Sequence, residues 1–390
     1  MKRQIAITLA LSALIGAPAA EAASGTIAYH ETDANGAFQV WSVPAAGGSA
    51  SQLTSDQVPN PELCFEGCFS EYPDWAFDGS RIFFDSDRAG TVHVFSMAPD
   101  GSDLQQVTHS NGGFEGLPGI SPDGQLVAYD GQPEDPAEQG GIFVARTDGS
   151  GTARRLTTGP KGGYDTAPEF SPDGSTVAFV RFRPVSCPST PRGCGGAVET
   201  GFKSAVYLVG TDGQGLRAIT DPGRVWGSPQ WSPDGARLLI NSYFDPRGRS
   251  RGTSADLWTI ERDGSDLTPL TRTPAGEFSF GADWSPDGSQ ISYAHYQTPD
   301  DHLEIQVMDA DGSHPSTVAE CGQFQFCDAT NWSATPPALG GLTAARRVPR
   351  ATATRSTGRR QARRLRRKVQ SALRTPAAPH RSQNAVAKAG

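Results

Sequence analysis

The chain is poor in the residues from which metal and nucleophile sites are built. It has seven histidines in 390 residues, none in a His-Glu-x-x-His or His-x-His pattern, so a metal-hydrolase site is not expected. Beyond the N-terminal apolar stretch Ile5 to Ile15, no run is long and apolar enough to span a bilayer, which excludes a transmembrane segment in the mature chain. Between the turn signals described below there is no long helical periodicity, which excludes a bundle. The last 50 residues, 341–390, contain no Asp or Glu against 14 Lys and Arg, and they are poor in aromatics. Such a segment lacks the apolar surface to offset the entropy of folding and is expected to be a disordered basic tail.

What is present is a repeat. Trp231-Ser232-Pro233-Asp234-Gly235 returns as Trp284-Ser285-Pro286-Asp287-Gly288 and Phe170-Ser171-Pro172-Asp173-Gly174. Ile120-Ser121-Pro122-Asp123-Gly124 is a weaker copy and Trp75-Ala76-Phe77-Asp78-Gly79 a degenerate one. A spacing of about 40–60 residues indicates a repeat architecture. In each turn proline presets φ, Asp bonds local amides and Gly takes the left-handed conformation, so flanking apolar runs read as a hairpin. A second hairpin follows, with Asp-Gly at its turn (Asp100-Gly101, Asp148-Gly149, Asp212-Gly213, Asp263-Gly264, Asp311-Gly312) and an ending such as Leu156-Thr157 or Leu270-Thr271. Each repeat thus supplies four short antiparallel strands. The second strands, such as Val177-Ala178-Phe179-Val180, are apolar throughout, as expected of strands covered on both faces. Blades stacked radially give that double cover, which predicts an all-β propeller.

Five repeats are complete. The chain enters mid-repeat at Ile27-Ala28-Tyr29, and Asn331-Trp332-Ser333 matches a first strand with nothing after it. Together the two ends make a sixth, shared blade, a closure that removes the open sheet edge.

These Ser-Pro-Asp-Gly copies, with Ser86-Asp87-Arg88-Ala89-Gly90 leading into Val94-Phe95-Ser96-Met97-Ala98-Pro99-Asp100-Gly101, resemble the WD-repeat-like propeller of TolB-like proteins. The resemblance runs from about Ile27 to Ser333 and implies a six-bladed fold, without the small α/β domain that precedes the propeller of TolB.

Lys2 and Arg3 before the apolar stretch, and Ala20-Glu21-Ala22 after it, read as a signal peptide. The expected organisation is therefore a signal peptide over 1–22, a propeller over 23–340 and the basic tail over 341–390. Without those ends, residues 23–340 hold 18 Lys and Arg against 41 Asp and Glu. An exported chain with six cysteines is expected to form disulfides, here Cys64–Cys68, Cys187–Cys194 and Cys321–Cys327, all placed in loop insertions. The localisation expected is secreted or periplasmic, at the cell envelope.

Gly248-Arg249-Ser250-Arg251-Gly252 matches the nucleophile-elbow pattern of hydrolases, but it lies in a polar loop rather than between a strand and a helix. Asp309-Ala310-Asp311-Gly312 and Asp33-Ala34-Asn35-Gly36 look like fragments of calcium loops without the downstream glutamate, and they read as hairpin turns. No cofactor is expected; a structural or channel-bound calcium is left open. The expected ligand site is the channel mouth, at Glu71, Glu115, Asp165, Trp226, Phe280 and Asp328. Asp74, Glu169, Gln230, Asp283 and Asn331, each just before the aromatic of its repeat, are expected to line the channel and face water. The function expected is a non-catalytic, monomeric binding module for an envelope or extracellular protein, peptide or glycan. The alternative is a lyase or lactonase at the channel mouth. In the tail, Ala362, Leu365, Val369 and Leu373 fall on roughly one helical face among arginines, a pattern that can contact an anionic surface, although a solvated tail is the expected reading; nucleic acid is not an expected partner of an exported chain.

Overall fold

A computed structural model of the chain describes residues 24–33, 35–55, 68–110, 113–133, 135, 138–184, 202–222, 226–242, 254–297, 302–321 and 325–333. The signal peptide, the basic tail, Cys64, Cys187, Cys194 and the segment Gly248 to Gly252 lie outside these residues.

Six four-stranded antiparallel sheets form the blades. Blade 1 runs outward as Cys327–Ser333, Thr26–Thr32, Phe38–Pro44 and Ser51–Gln52. Blade 2 comprises Ser70–Trp75, Ile82–Ser86, His93–Met97 and Gln105–Gln106. Blade 3 comprises Phe114–Ile120, Leu126–Gln132, Gly141–Arg146 and Arg154–Arg155. Blade 4 comprises Tyr164–Phe170, Thr176–Pro184, Phe202–Gly210 and Arg217–Ala218. Blade 5 comprises Trp226–Trp231, Arg237–Ser242, Asp256–Glu261 and Thr268–Pro269. Blade 6 comprises Phe278–Trp284, Gln290–Gln297, His302–Asp309 and Ser316–Glu320. The innermost strands of successive blades contact one another in a closed ring, that of blade 6 meeting that of blade 1. The closing strand pairs with the N-terminal one as expected, with Trp332 opposite Ile27 and Asn331 opposite Ala28.

Local chemistry explains why these segments become strands and turns. In the Ser-Pro-Asp-Gly turn the Asp123 carboxylate accepts from the Ser121 hydroxyl at 2.7 Å and the Gln125 amide at 3.0 Å. Gly124 sits at φ 67°, where a side chain is disfavoured. The same bonds recur at Asp173, Asp234 and Asp287 and hold those carboxyls below the usual carboxylate range. The Leu-Thr ending has a separate role. The Thr108 hydroxyl accepts the Val94 amide at 3.0 Å, and Thr157, Thr220 and Thr271 accept the matching amides of Ile142, Val206 and Leu257. The threonine takes over a ladder bond, so in each of blades 1–5 the outermost strand needs only two residues.

The tryptophan at the end of the innermost strand is the wedge between blades where one is present. Trp75 packs on Ala28 and Val40 of blade 1, Trp231 on Ala178 and Val206 of blade 4, and Trp284 on Leu239 and Leu257 of blade 5. Trp332 packs among Ala294, Ile305 and Val307 of blade 6. Full burial of such a ring is worth several kcal/mol, on the order of 3–5 by the cost of truncation.

One cysteine lies differently from its expected place. Cys321 and Cys327 are bonded, with their Cα atoms 6.3 Å apart. However, Cys327 is the first residue of the innermost strand of blade 1 and pairs with Glu31, rather than lying in a loop insertion. The bond therefore ties the end of blade 6 to the strand that closes the ring. Cys68 is also disulfide-bonded. Replacing Cys321 and Cys327 by serine should cost about 2 kcal/mol, the loop-entropy value for so short a bridge. Thermal melts of the variant, and of the wild type with reductant, check this.

Candidate functional site

The centre of the ring is built by the innermost strands, and a bulge in each decides what it presents. Pairing slips between Glu71 and Asp74, Gly116 and Gly119, and Thr166 and Glu169. At the slips, Tyr72, Leu117 and Ala167 take φ near 50°, each just before a proline, and Gly281 takes 56° in blade 6. The bulge turns backbone amides away from the blade's own ladder and toward the blade before it.

Side chains of that preceding blade capture them. The Asn331 side-chain oxygen accepts the Trp75 amide at 2.7 Å, Asp74 accepts Ile120 at 2.8 Å, and Asp283 accepts Trp332 at 2.7 Å. One layer away, His30 accepts the Tyr72 amide at 3.1 Å and Asp85 accepts Leu117 at 2.9 Å. In blades 1, 2 and 6 the residue before the aromatic thus reaches forward to the next blade while the aromatic packs backward. Asp74, Asp283 and Asn331 are buried, and they bind the seams instead of standing in axial water. Glu169 and Gln230 are half-buried at the same register.

At blade 3 that register holds Gly119. A Cβ there would collide with the Pro168 carbonyl oxygen and touch the Glu169 carboxylate, so glycine permits this close approach. Gly119→Ala should destabilise the protein by about 1–3 kcal/mol, the usual cost of overpacking, as read by denaturant unfolding.

Burial dominates the electrostatics at the centre. Burial, and then the charge of Asp283, push the Asp74 carboxyl well above its ordinary value. Burial also raises Glu169, with Asp74 and Asp283 adding repulsion. Asp283 is raised to about 7, Asp85 to about 7 and Asp130 to about 8, in each case chiefly by burial. His30, enclosed by the rings of Phe38, Tyr72 and Phe326, is lowered to about 3 by burial and is neutral.

The six residues expected at the mouth do not share one register. Counted back from the residue that opens the turn, Glu71, Phe280 and Asp328 are four residues away, whereas Glu115 and Asp165 are five away, an offset that belongs to the opposite face, and Trp226 stands at the first position of its strand, also five away. Asp165 is fully buried, bonded to the Arg181 guanidinium at 2.6 Å and to the Thr157 hydroxyl at 2.6 Å. Phe280 is buried in a stack with Phe326. Glu115 is buried with His93, whose Nδ1 lies 2.8 Å from its carboxylate. Burial opposes the charge of Glu115, but bonds from His93 and Thr108 outweigh it and hold the carboxyl below its usual range. Glu71 and Asp328 are half-buried at equivalent positions of neighbouring blades. Sequence reasoning missed His30 and Asp85, which perform the seam function one layer from Asn331 and Asp74. The signal for them was a polar residue inside an otherwise apolar second strand. Among the described residues, no group of three or more His, Cys, Asp or Glu is placed to hold a metal, and no helix is long and apolar enough to cross a membrane.

Fold and centre together define a six-bladed β-propeller of TolB-like architecture. TolB of Acinetobacter baumannii superposes over 80% of this chain and 67% of its own, with a TM-score of 0.58 at 17% identity. In sequence, the chain is 29% identical over 278 residues to an uncharacterised protein of Agrobacterium fabrum, covering 67% of this chain and 80% of that one. It is 30% identical over 102 residues to the Tol-Pal system protein TolB of Anaeromyxobacter dehalogenans, covering 26% of this chain and only 21% of that protein. No family model matches the chain.

Proposed function

We propose that this protein is an exported binding module, with a protein, peptide or envelope glycan docking, without being chemically changed, on the end of the ring where the innermost strands begin. The observation that carries this reading is the likeness to TolB over 80% of the chain. The central carboxyls support it, because Asp74 and Asp283 are engaged in holding blades together. At the proposed docking end, Glu71 and Asp328 offer a half-buried acidic pair on adjacent blades. In this reading the signal peptide directs the chain to the periplasm or beyond, and the basic segment 341–390 adds a salt-sensitive contact with anionic surfaces.

Affinity capture from envelope extract tests the proposal. The intact mature chain and a form ending at residue 340 should retain the same partner. Glu71→Lys/Asp328→Lys should lose it while still folding cooperatively, as judged by its thermal melt. Equal capture by the charge-reversed variant would place the interface elsewhere and overturn the assignment. In the same series Asp165→Asn should leave capture intact but lower stability by about 3 kcal/mol, because it leaves Arg181 buried without its carboxylate.

A further inference from the structure

At the seam between blades 2 and 3 lies a hydrogen-bonded relay whose imidazole the repeat does not account for. Thr91 is exposed in the turn before the strand His93–Met97. Its hydroxyl oxygen lies 2.9 Å from His93 Nε2. On the other side of the ring, His93 Nδ1 lies 2.8 Å from Glu115 Oε2. The imidazole and carboxylate side chains are only 5% and 10% exposed. Glu115 comes from blade 3 and is fixed there, its own amide donating to the Val92 carbonyl at 3.0 Å.

The chemistry of the chain of bonds has a direction. An ionised carboxylate accepts only, so it accepts the hydrogen bond from Nδ1–H and leaves Nε2 as the acceptor for the threonine hydroxyl. Hydroxyl, imidazole and carboxylate in this order, each at hydrogen-bond distance, form the arrangement that activates an oxygen nucleophile. It occurs at one seam, between blades 2 and 3. The matching position on the third strand is Gln39, Gly141, Ala205, Asp256 or Glu304 in the others, so the imidazole is not part of the repeat. Asp256 and Glu304 bind threonine hydroxyls of the outer segment, which is the structural use of that position. His93 instead turns its outer nitrogen to an exposed hydroxyl.

We propose that Thr91 is an activated nucleophile that accepts acyl groups from small esters or thioesters, with His93 as its base and Glu115 as the positioning residue. The Thr91 oxygen attacks the acyl carbonyl, and its proton moves to His93 Nε2. The tetrahedral adduct collapses with cleavage of the bond to the leaving oxygen or sulfur, which takes the proton from Nε2. Thr91 is left as an ester. Water then attacks that ester, again giving its proton through His93, and free Thr91 and the carboxylic acid are released. This reactivity is independent of the docking proposed above and would survive its failure.

The test uses p-nitrophenyl acetate on the intact chain, following p-nitrophenolate release and locating the acetyl group by peptide mass mapping. The expected result is acetyl on Thr91, with release about 100-fold slower in Thr91→Val and His93→Gln, the scale of a lost general base. Thr91→Ser, an exposed conservative change, should retain the reaction. Glu115→Gln should lower kcat for the ester with KM unchanged, which a purely structural role would not separate. Acetyl found only on lysines or the N-terminus, or equal release by wild type and Thr91→Val, would overturn the proposal. Labelling of Thr91 that is indifferent to His93→Gln would overturn it as well.

Discussion

A chain ending at residue 327 should fail to hold the cooperative fold, whereas one ending at residue 340 should melt with the full-length protein. The difference between the two is essentially the closing strand. Its loss uncovers Thr26–Thr32, a strand of seven residues that are all buried, and leaves its edge unpaired. It also removes Trp332, which is 5% exposed and donates its ring N–H to the Ser24 carbonyl at 2.9 Å. Further, it frees the buried carboxyl of Asp283 from the Trp332 amide. Trp332→Ala alone should cost about 3–5 kcal/mol, and the truncation should cost more. Calorimetry of the two truncated chains and the point variant distinguishes these effects. A melting temperature for the chain ending at 327 within a few degrees of wild type would show that the ring does not depend on closure.

The second large effect is in pH. Asp283, Asp85 and Asp130 have folded-state pKa values raised to about 7, 7 and 8 by burial. The folded protein therefore binds these protons more tightly than the unfolded chain does. Their stabilising contribution is complete below the unfolded carboxyl pKa, near about 4, and is lost as pH rises through 7 to 8. Each tenfold gain in proton affinity on folding is worth roughly 1.4 kcal/mol, so the group together should lower the melting temperature by several degrees or more between pH 5 and 8.5. The turn aspartates act in the opposite sense. Hydrogen bonds hold Asp78, Asp123, Asp234 and Asp287 below their ordinary values, so their contribution is present at neutral pH and lost only in strong acid. Stability should thus be greatest at mildly acidic pH. Asp283→Asn keeps an acceptor for the Trp332 amide but removes the titrating group. It should be near neutral at pH 5 and more stable than wild type at pH 8.5. A melting profile flat from pH 5 to 8.5, or an Asn variant with the wild-type slope, would contradict the assignment.

The blade count, the shared blade and the Cys321–Cys327 bond were all legible in the sequence, because they rest on local chemistry repeated at a fixed spacing. Proline, aspartate and glycine specify a turn wherever they stand together, and an orphan first strand at one end must complete an orphan second strand at the other. The centre was less legible for an equally physical reason. The bulges at Tyr72, Leu117 and Ala167 leave little mark beyond the proline that follows, yet they set which face each flanking residue presents. Taking Glu71 and Glu115 as equivalents is a slip of one residue, which in a strand exchanges the faces. For the same reason Asp74 and Asn331 read as channel-lining groups. Their role appears only when the amide of the next blade, oriented by its own bulge, is in place. Thr91, His93 and Glu115 were unreadable as a unit because the carboxylate belongs to another blade, 22 residues beyond the imidazole. The signal peptide, the tail and the Cys187–Cys194 pair fall outside the described residues and stand as sequence expectations.

Hydrogen exchange over Thr26–Thr32 tests the closed ring most directly. In the full-length protein and in the chain ending at residue 340, the amides of this strand should exchange only through global unfolding, as slowly as those of Ile82–Ser86. In the chain ending at residue 327 they should lose that protection. Equal protection in all three proteins, or rapid exchange of Ile27 and Ala28 in the full-length chain, would contradict closure through a blade shared by the two ends.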